Sequence, residues 1–82
     1  MLHSLPDSAK ITCLIDLSNK YQYTDPSRSI ELAQQALNIS TSTNNILLKG
    51  KANFQIAKLY FIKGIYDKTL FFLIEALKYF EQ

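Results

Sequence analysis

The chain of 82 residues holds one cysteine, one histidine, two glycines, two prolines and no tryptophan. A lone Cys13 excludes an intrachain disulfide, and with only His3 beside it no Cys/His set for a metal can be assembled. Cys13 is read instead as a small buried hydrophobe on an apolar face, and a reducing, cytoplasmic setting is expected. So little glycine and proline leaves no internal linker, no glycine-rich phosphate loop and no serine-centred elbow. No apolar run approaches the roughly 20 residues that cross a bilayer. The opening "MLHSLPDSAK" lacks the basic start and apolar stretch of a secretion signal. A formal charge of +2 is too small to argue for nucleic acid. With no catalytic constellation in view, the chain is read as non-enzymatic, with no cofactor, no metal, and neither nucleic acid nor membrane as partner.

What is present is a 48% apolar composition, enough for a packed core and too much for a disordered chain. Residues 1–82 are expected to form one domain, near the size at which a single core is only marginally stable. The charge is uneven: residues 1–48 carry three Lys/Arg against four Asp/Glu, and residues 49–82 carry six against three. A lysine-rich half is either a solvated face or a surface for an acidic partner.

Helix punctuation recurs along the chain. "SLPD" reads as a capping box, with Ser4 and Asp7 satisfying early backbone groups and Pro6 tolerated in a first turn. Ile11, Leu14, Ile15, Leu17, Ser18 and Tyr21 then follow one helical face. In "TDPSR", Asp25 is the N-cap and Pro26 the first helical residue of a second helix. That helix carries Ile30, Ala33, Ala36 and Leu37 on one side, and "STSTNN" is expected to break it after about residue 40 by competing for backbone hydrogen bonds. A third helix begins near Asn45 and runs to about Ile62, with Leu48, Ala52, Ile56, Ala57, Leu59 and Tyr60 on its face. Gly64 is a natural left-handed terminator, and a fourth helix starts at about Tyr66 or Asp67. No period-two strand of useful length occurs. The fold class is all-α, with short connections that lay neighbouring helices antiparallel.

The second and fourth helices share a pattern. "SIELAQQALNIS" and "TLFFLIEALKYF" each run small residue, aliphatic, two variable, Ala or Leu, two variable, Ala-Leu. Their pairs Ala36-Leu37 and Ala76-Leu77 lie 40 residues apart. "LIDLSNKY" precedes the first and "NFQIAKLY" the second. The chain therefore reads as a helix-turn-helix unit written twice, over about 5–41 and 44–82.

On these residues the sequence resembles the tetratricopeptide repeat family. Ile56-Ala57, Tyr60, Gly64, Tyr66-Asp67 and Ala76-Leu77 fall at the family's spacing in the second unit. Asn53 departs from a favoured large aromatic and Thr69 from a favoured alanine. The first unit matches through Leu14, Leu17-Ser18, Tyr21, Ser29, Ala33 and Ala36-Leu37, with an inter-helix turn one residue shorter. The resemblance implies two helical pairs stacked as a short right-handed α-solenoid. It also implies a protein- or peptide-binding module, or the sensor region of a signalling regulator with a kinase or DNA-binding output elsewhere. By the family's geometry the concave groove would be lined by Thr12, Ile15, Asp16, Asn19, Gln22 and Tyr23, and by Lys51, Phe54, Gln55, Lys58, Phe61 and Ile62. Ile15 stands where carboxylate-gripping members want a lysine, so that activity is not carried over. Lys51 and Lys58 beside Gln55 and the aromatics suit a peptide of acidic or apolar character.

The last helix raises a separate expectation. Nine of the twelve residues in "TLFFLIEALKYF" are apolar, and even Phe71 sits in the remaining polar sector. A helix that ends a repeat stack normally turns a polar face outward. Leu70, Phe72, Leu73, Leu77, Tyr79 and Phe80 are therefore expected to form an association surface. It would be covered by further repeats beyond Gln82 or by self-association into a homo-oligomer. Attachment to a membrane surface is disfavoured, because that helix offers only Lys68 and Lys78 as cations.

Overall fold

The protein, described here by a computed structural model over residues 6–80, is all-α. Four helices follow in order: α1 (Asp7–Tyr21), α2 (Pro26–Ser42), α3 (Ile46–Ile62) and α4 (Tyr66–Phe80). No strand occurs among the described residues. Successive helices pack on one another, and α3 also touches α1. The result is a slab with Cα extents of 36 × 33 × 14 Å, thin enough that every helix keeps one side on the surface.

The boundaries follow local chemistry. Asp25 caps α2 by accepting from the Arg28 N–H at 3.3 Å, with Pro26 opening the helix where its missing N–H costs nothing. Asn45 caps α3 in the same way, accepting from the Leu48 N–H at 3.2 Å. The capping role given to Ser4 falls outside the described residues. At Pro6, which precedes α1, there is no side-chain cap, and Asp7 contributes an acid to the first turn.

Helix α2 runs two residues past the expected break. The hydroxyls of Ser40 and Thr41 donate back to the Leu37 carbonyl at 2.9 and 2.8 Å, and that of Thr43 to the Ile39 carbonyl at 2.9 Å. Such back-bonds leave the helical N–H ladder in place, so these residues decorate the helix instead of ending it. Termination falls to Asn44, at φ 56°. The Asn45 N–H reaches the Ser40 carbonyl at 3.0 Å and the Asn44 N–H the Thr41 carbonyl at 3.2 Å, the paired closure of a Schellman motif. Gly64, at φ 79°, closes α3 identically: Ile65 N–H to Tyr60 O at 2.9 Å, Gly64 N–H to Phe61 O at 3.0 Å. After α1, the Asp25 N–H instead returns to Tyr21 O at 2.8 Å. That connection closes one residue earlier than its counterpart after Tyr60, which is the difference in spacing between the two units.

Two clusters make the core. Ile11, Leu14, Ala36 and Ala52 join α1, α2 and α3; Ala33, Ile56 and Leu59 join α2 and α3, with Tyr60 and Phe72 packed against them. Small side chains (Ser18, Ser29, Ala57, Thr69, Ala76) are buried within the pairs, where they let helix axes approach to about 8–10 Å. Gly50 does the same between the start of α3 and the end of α4: a Cβ there would stand 3.0 Å from the Phe80 ring and 3.2 Å from Tyr79 Cβ. Leu17, expected on the buried face of α1, is exposed, because Ile11, Leu14 and Ser18 already fill the width that α2 and α3 cover. Cys13, expected to be buried, is half-buried and free.

Candidate interaction surfaces

A concave cavity of about 420 Å³ opens where α1 faces α3, lined by Ile15 and Asn19 from α1, Lys51, Phe54, Gln55 and Lys58 from α3, and Phe80 from α4. Residues 51, 54, 55 and 58 recur at intervals of three and four along α3, so they share one side of that helix. The Lys58 ammonium donates to Asn19 Oδ1 at 2.7 Å, tying two helices across 39 residues of sequence. Lys51 and Phe54 are exposed at the mouth. Gln55 is only 3% exposed, and its Nε2 donates to Ser18 Oγ at 3.1 Å. Its amide is thus committed to holding α3 on α1, and the groove's exposed chemistry is two lysines, one amide and two aromatic rings.

The structure therefore brings together Ile15, Asn19, Lys51, Phe54, Gln55 and Lys58 of the expected groove and leaves the other six of its residues outside this cavity. Tyr23 lies beyond the end of α1 and is 76% exposed. Ile62 is half-buried in the last turn of α3. Phe61 belongs to a neighbouring groove of about 200 Å³ between α3 and α4, with Phe54, Ala57, Lys58, Thr69 and Leu73. Thr12 and Asp16 are exposed on α1, and Ile15 enters the cavity wall. The Gln22 side-chain oxygen is buried and lacks a hydrogen-bond partner among the described residues.

Helix α4 divides its apolar residues between two directions. Thr69 and Ala76 are buried against the rest of the fold. Phe72 turns toward α2 and α3, stacking on Tyr60 with ring centroids 5.8 Å apart, and Tyr79 lies under the Lys49 ammonium at 4.9 Å. These two are half-buried, so the surface assigned to them belongs to the intramolecular packing. Leu70 (60% exposed), Ile74 (48%) and Leu77 (53%) point away from it, with Phe80 also exposed and Leu73 half-buried between them and the α3 groove. Ile74 belongs to this patch although it was not among the expected association residues. On the same helix Glu75 accepts from Lys78 Nζ at 2.8 Å, which holds the Lys78 ammonium above its usual range. The total surface, 5105 Å², is near the ~5,000 Å² usual for a 9.4 kDa chain. The chain is not unusually open; its surface is unusual in which side chains occupy it.

On the opposite side a cleft of about 420 Å³ runs between α2 and α4, with Leu37, Asn38, Thr41, Asn53, Phe72, Glu75 and Tyr79 among its walls. Sequence reasoning did not anticipate it, although Asn53, the position noted for lacking a large aromatic, is one of its lining residues. Asn53 is buried and donates to the Lys49 carbonyl at 2.9 Å. Among the described residues no group of three or more His, Cys, Asp or Glu could hold a metal, and no helix is long and apolar enough to cross a membrane. Comparison with protein-family models, with curated proteins and with solved structures finds no match to this chain.

Proposed function

We propose that the chain is a non-enzymatic interaction module of tetratricopeptide-like design, two helical pairs stacked as a short right-handed solenoid. Its concave groove takes a peptide of acidic and apolar character. The observation that carries this reading is the convergence of Lys51, Lys58, Asn19 and Phe54 on one open cavity between the first helices of the two pairs. Cationic donors beside an exposed aromatic ring favour a carboxylate flanked by an apolar side chain. The short connections after Tyr21 and Tyr60, which return to those residues' carbonyls from Asp25 and Ile65 and differ by one residue in length, support the repeat reading. A reducing, cytoplasmic setting suits the free Cys13.

Selection from a random peptide library against the immobilised protein tests it. Enriched peptides should be rich in Asp and Glu interspersed with apolar residues. Lys51→Glu together with Lys58→Glu should weaken their binding about tenfold or more, the scale of lost charge-assisted contacts. Enrichment indifferent to charge, or binding that survives both reversals, sinks the proposal.

A further inference from the structure

The exposed face of α4 carries charges that specify its own partner. With 100° per residue and Thr69 at zero, Leu77, Leu70 and Ile74 fall at about 80°, 100° and 140°, a narrow stripe at i, i+4 and i+7. Asp67 and Lys78 fall at about 160° and 180°, so both lie on the same margin of that stripe, one in the first turn and one in the last. Both are exposed, and among the described residues Asp67 makes no ion pair.

The geometry points to a two-fold dimer of this chain, in which α4 packs antiparallel on α4 of a second copy through Leu70, Ile74 and Leu77, each Asp67 meeting the other copy's Lys78. A two-fold axis between antiparallel helices brings like margins together, so residues whose numbers sum to a constant face each other. Leu70 and Leu77 sum to 147, which sets each Leu70 opposite a Leu77 and places the two Ile74 side by side at the centre. Asp67 and Lys78 sum to 145, a stagger of two residues or about 3 Å, within a lysine's reach.

Charge also chooses the direction. A parallel pairing would leave both Asp67 at one end and both Lys78 at the other, on opposite margins, so that no acid meets a base, whereas the antiparallel one makes two attractive contacts and opposes the helix dipoles favourably. Lys78 keeps donors to spare beyond its bond to Glu75, since an ammonium has three. A patch of bulky apolar side chains bounded by an acid towards one end and a base towards the other, on one margin, is self-complementary, the requirement for an isologous interface.

This inference rests on reading α4 as an interaction surface. The test is sedimentation equilibrium of the whole chain and of Asp67→Lys, Lys78→Asp and the double variant, with helical circular dichroism as the folding control. The wild type should dimerise, and each single reversal should raise the dimer Kd about tenfold or more, because two attractions become two repulsions. The double variant should recover, and an equimolar mixture of the two single variants should form the heterodimer that neither forms alone. A wild type monomeric at every concentration overturns the inference. So does a dimer indifferent to the single reversals, or one that the double variant fails to restore. Leu77→Glu separates the two levels: if it disrupts a wild-type dimer that the charge reversals leave intact, only the antiparallel register falls. If it too changes nothing, the reading of α4 as an association surface falls with it.

Discussion

Ser18 and Ser29 bind each other's backbone across the crossing of α1 and α2. The Ser18 hydroxyl donates to the Ser29 carbonyl at 2.8 Å, and the Ser29 hydroxyl donates back to the Ser18 carbonyl. Both residues are fully buried. Reciprocity of this kind requires the helices to be close, and it satisfies two hydroxyls that the core would otherwise leave unpaired. Ser18 Oγ also accepts from Gln55, so three helices meet at one atom. In the second pair the corresponding buried residues are Ala57 and Thr69, and the Thr69 hydroxyl donates locally, to the carbonyl of Ile65 just ahead of α4 at 3.0 Å. The same closeness is reached there without a polar clasp.

The clasp makes Ser18→Ala costly in an asymmetric way. Removing the hydroxyl strands the buried Gln55 amide, so urea unfolding should show a loss of about 1–3 kcal/mol. Adding Gln55→Met to Ser18→Ala should return much of that loss, because both polar partners are then gone. A double variant less stable than the single one would contradict this account.

The two Schellman closures predict opposite responses to glycine and alanine. Gly64→Ala forces a Cβ into the left-handed region and should destabilise the fold by about 1 kcal/mol, although nothing crowds the site. Asn44→Gly removes a milder strain at φ 56° and should stabilise by a few tenths of a kcal/mol to about 1 kcal/mol. Thermal unfolding of both variants would check the pair, with opposite shifts in Tm expected.

The helices themselves were legible because their punctuation is local: Asp25-Pro26, Asn45 and Gly64 act within a turn of where they stand. The end of α2 was not, since hydroxyl residues can either break a helix or bond back along it, and the choice depends on Asn44 two residues later. In the groove, the three-and-four spacing of Lys51, Phe54, Gln55 and Lys58 was enough to place them on one side of α3. Which of them faces solvent depended on Ser18, 37 residues away from Gln55, and no local pattern carries that. Phe72 and Leu70 were grouped together for the same reason: periodicity assigns an apolar arc, and only the position of α2 divides it into a packed flank and an open one.

That division is testable by two alanine substitutions. Phe72→Ala removes the ring stacked on Tyr60 and packed against Ala33, Ile56 and Leu59. It should cost about 2–3 kcal/mol, somewhat less than a fully buried phenylalanine. Leu70→Ala, on the open flank, should change monomer stability by no more than about 0.5 kcal/mol. Denaturant titrations at concentrations low enough to keep the chain monomeric would separate them, and equal losses would mean that the two flanks are packed alike.

The Lys58–Asn19 contact joins stability to binding at the groove. Its donor is charged and half-buried, so Lys58→Met, which keeps the aliphatic stem and removes the ammonium, should leave the fold within about 1 kcal/mol of wild type. Binding of an acidic peptide should respond far more. Exposed charges attract across a screening length of about 10 Å at 0.1 M salt and about 3 Å at 1 M, so affinity should fall steeply over that range in the wild type. With Lys58→Met the affinity should start lower and fall less, and with Lys51→Met added it should become nearly flat. A salt dependence that survives both substitutions would place the peptide's carboxylates on another surface of the protein, the lysine-bearing outer side of α4 being the first to examine.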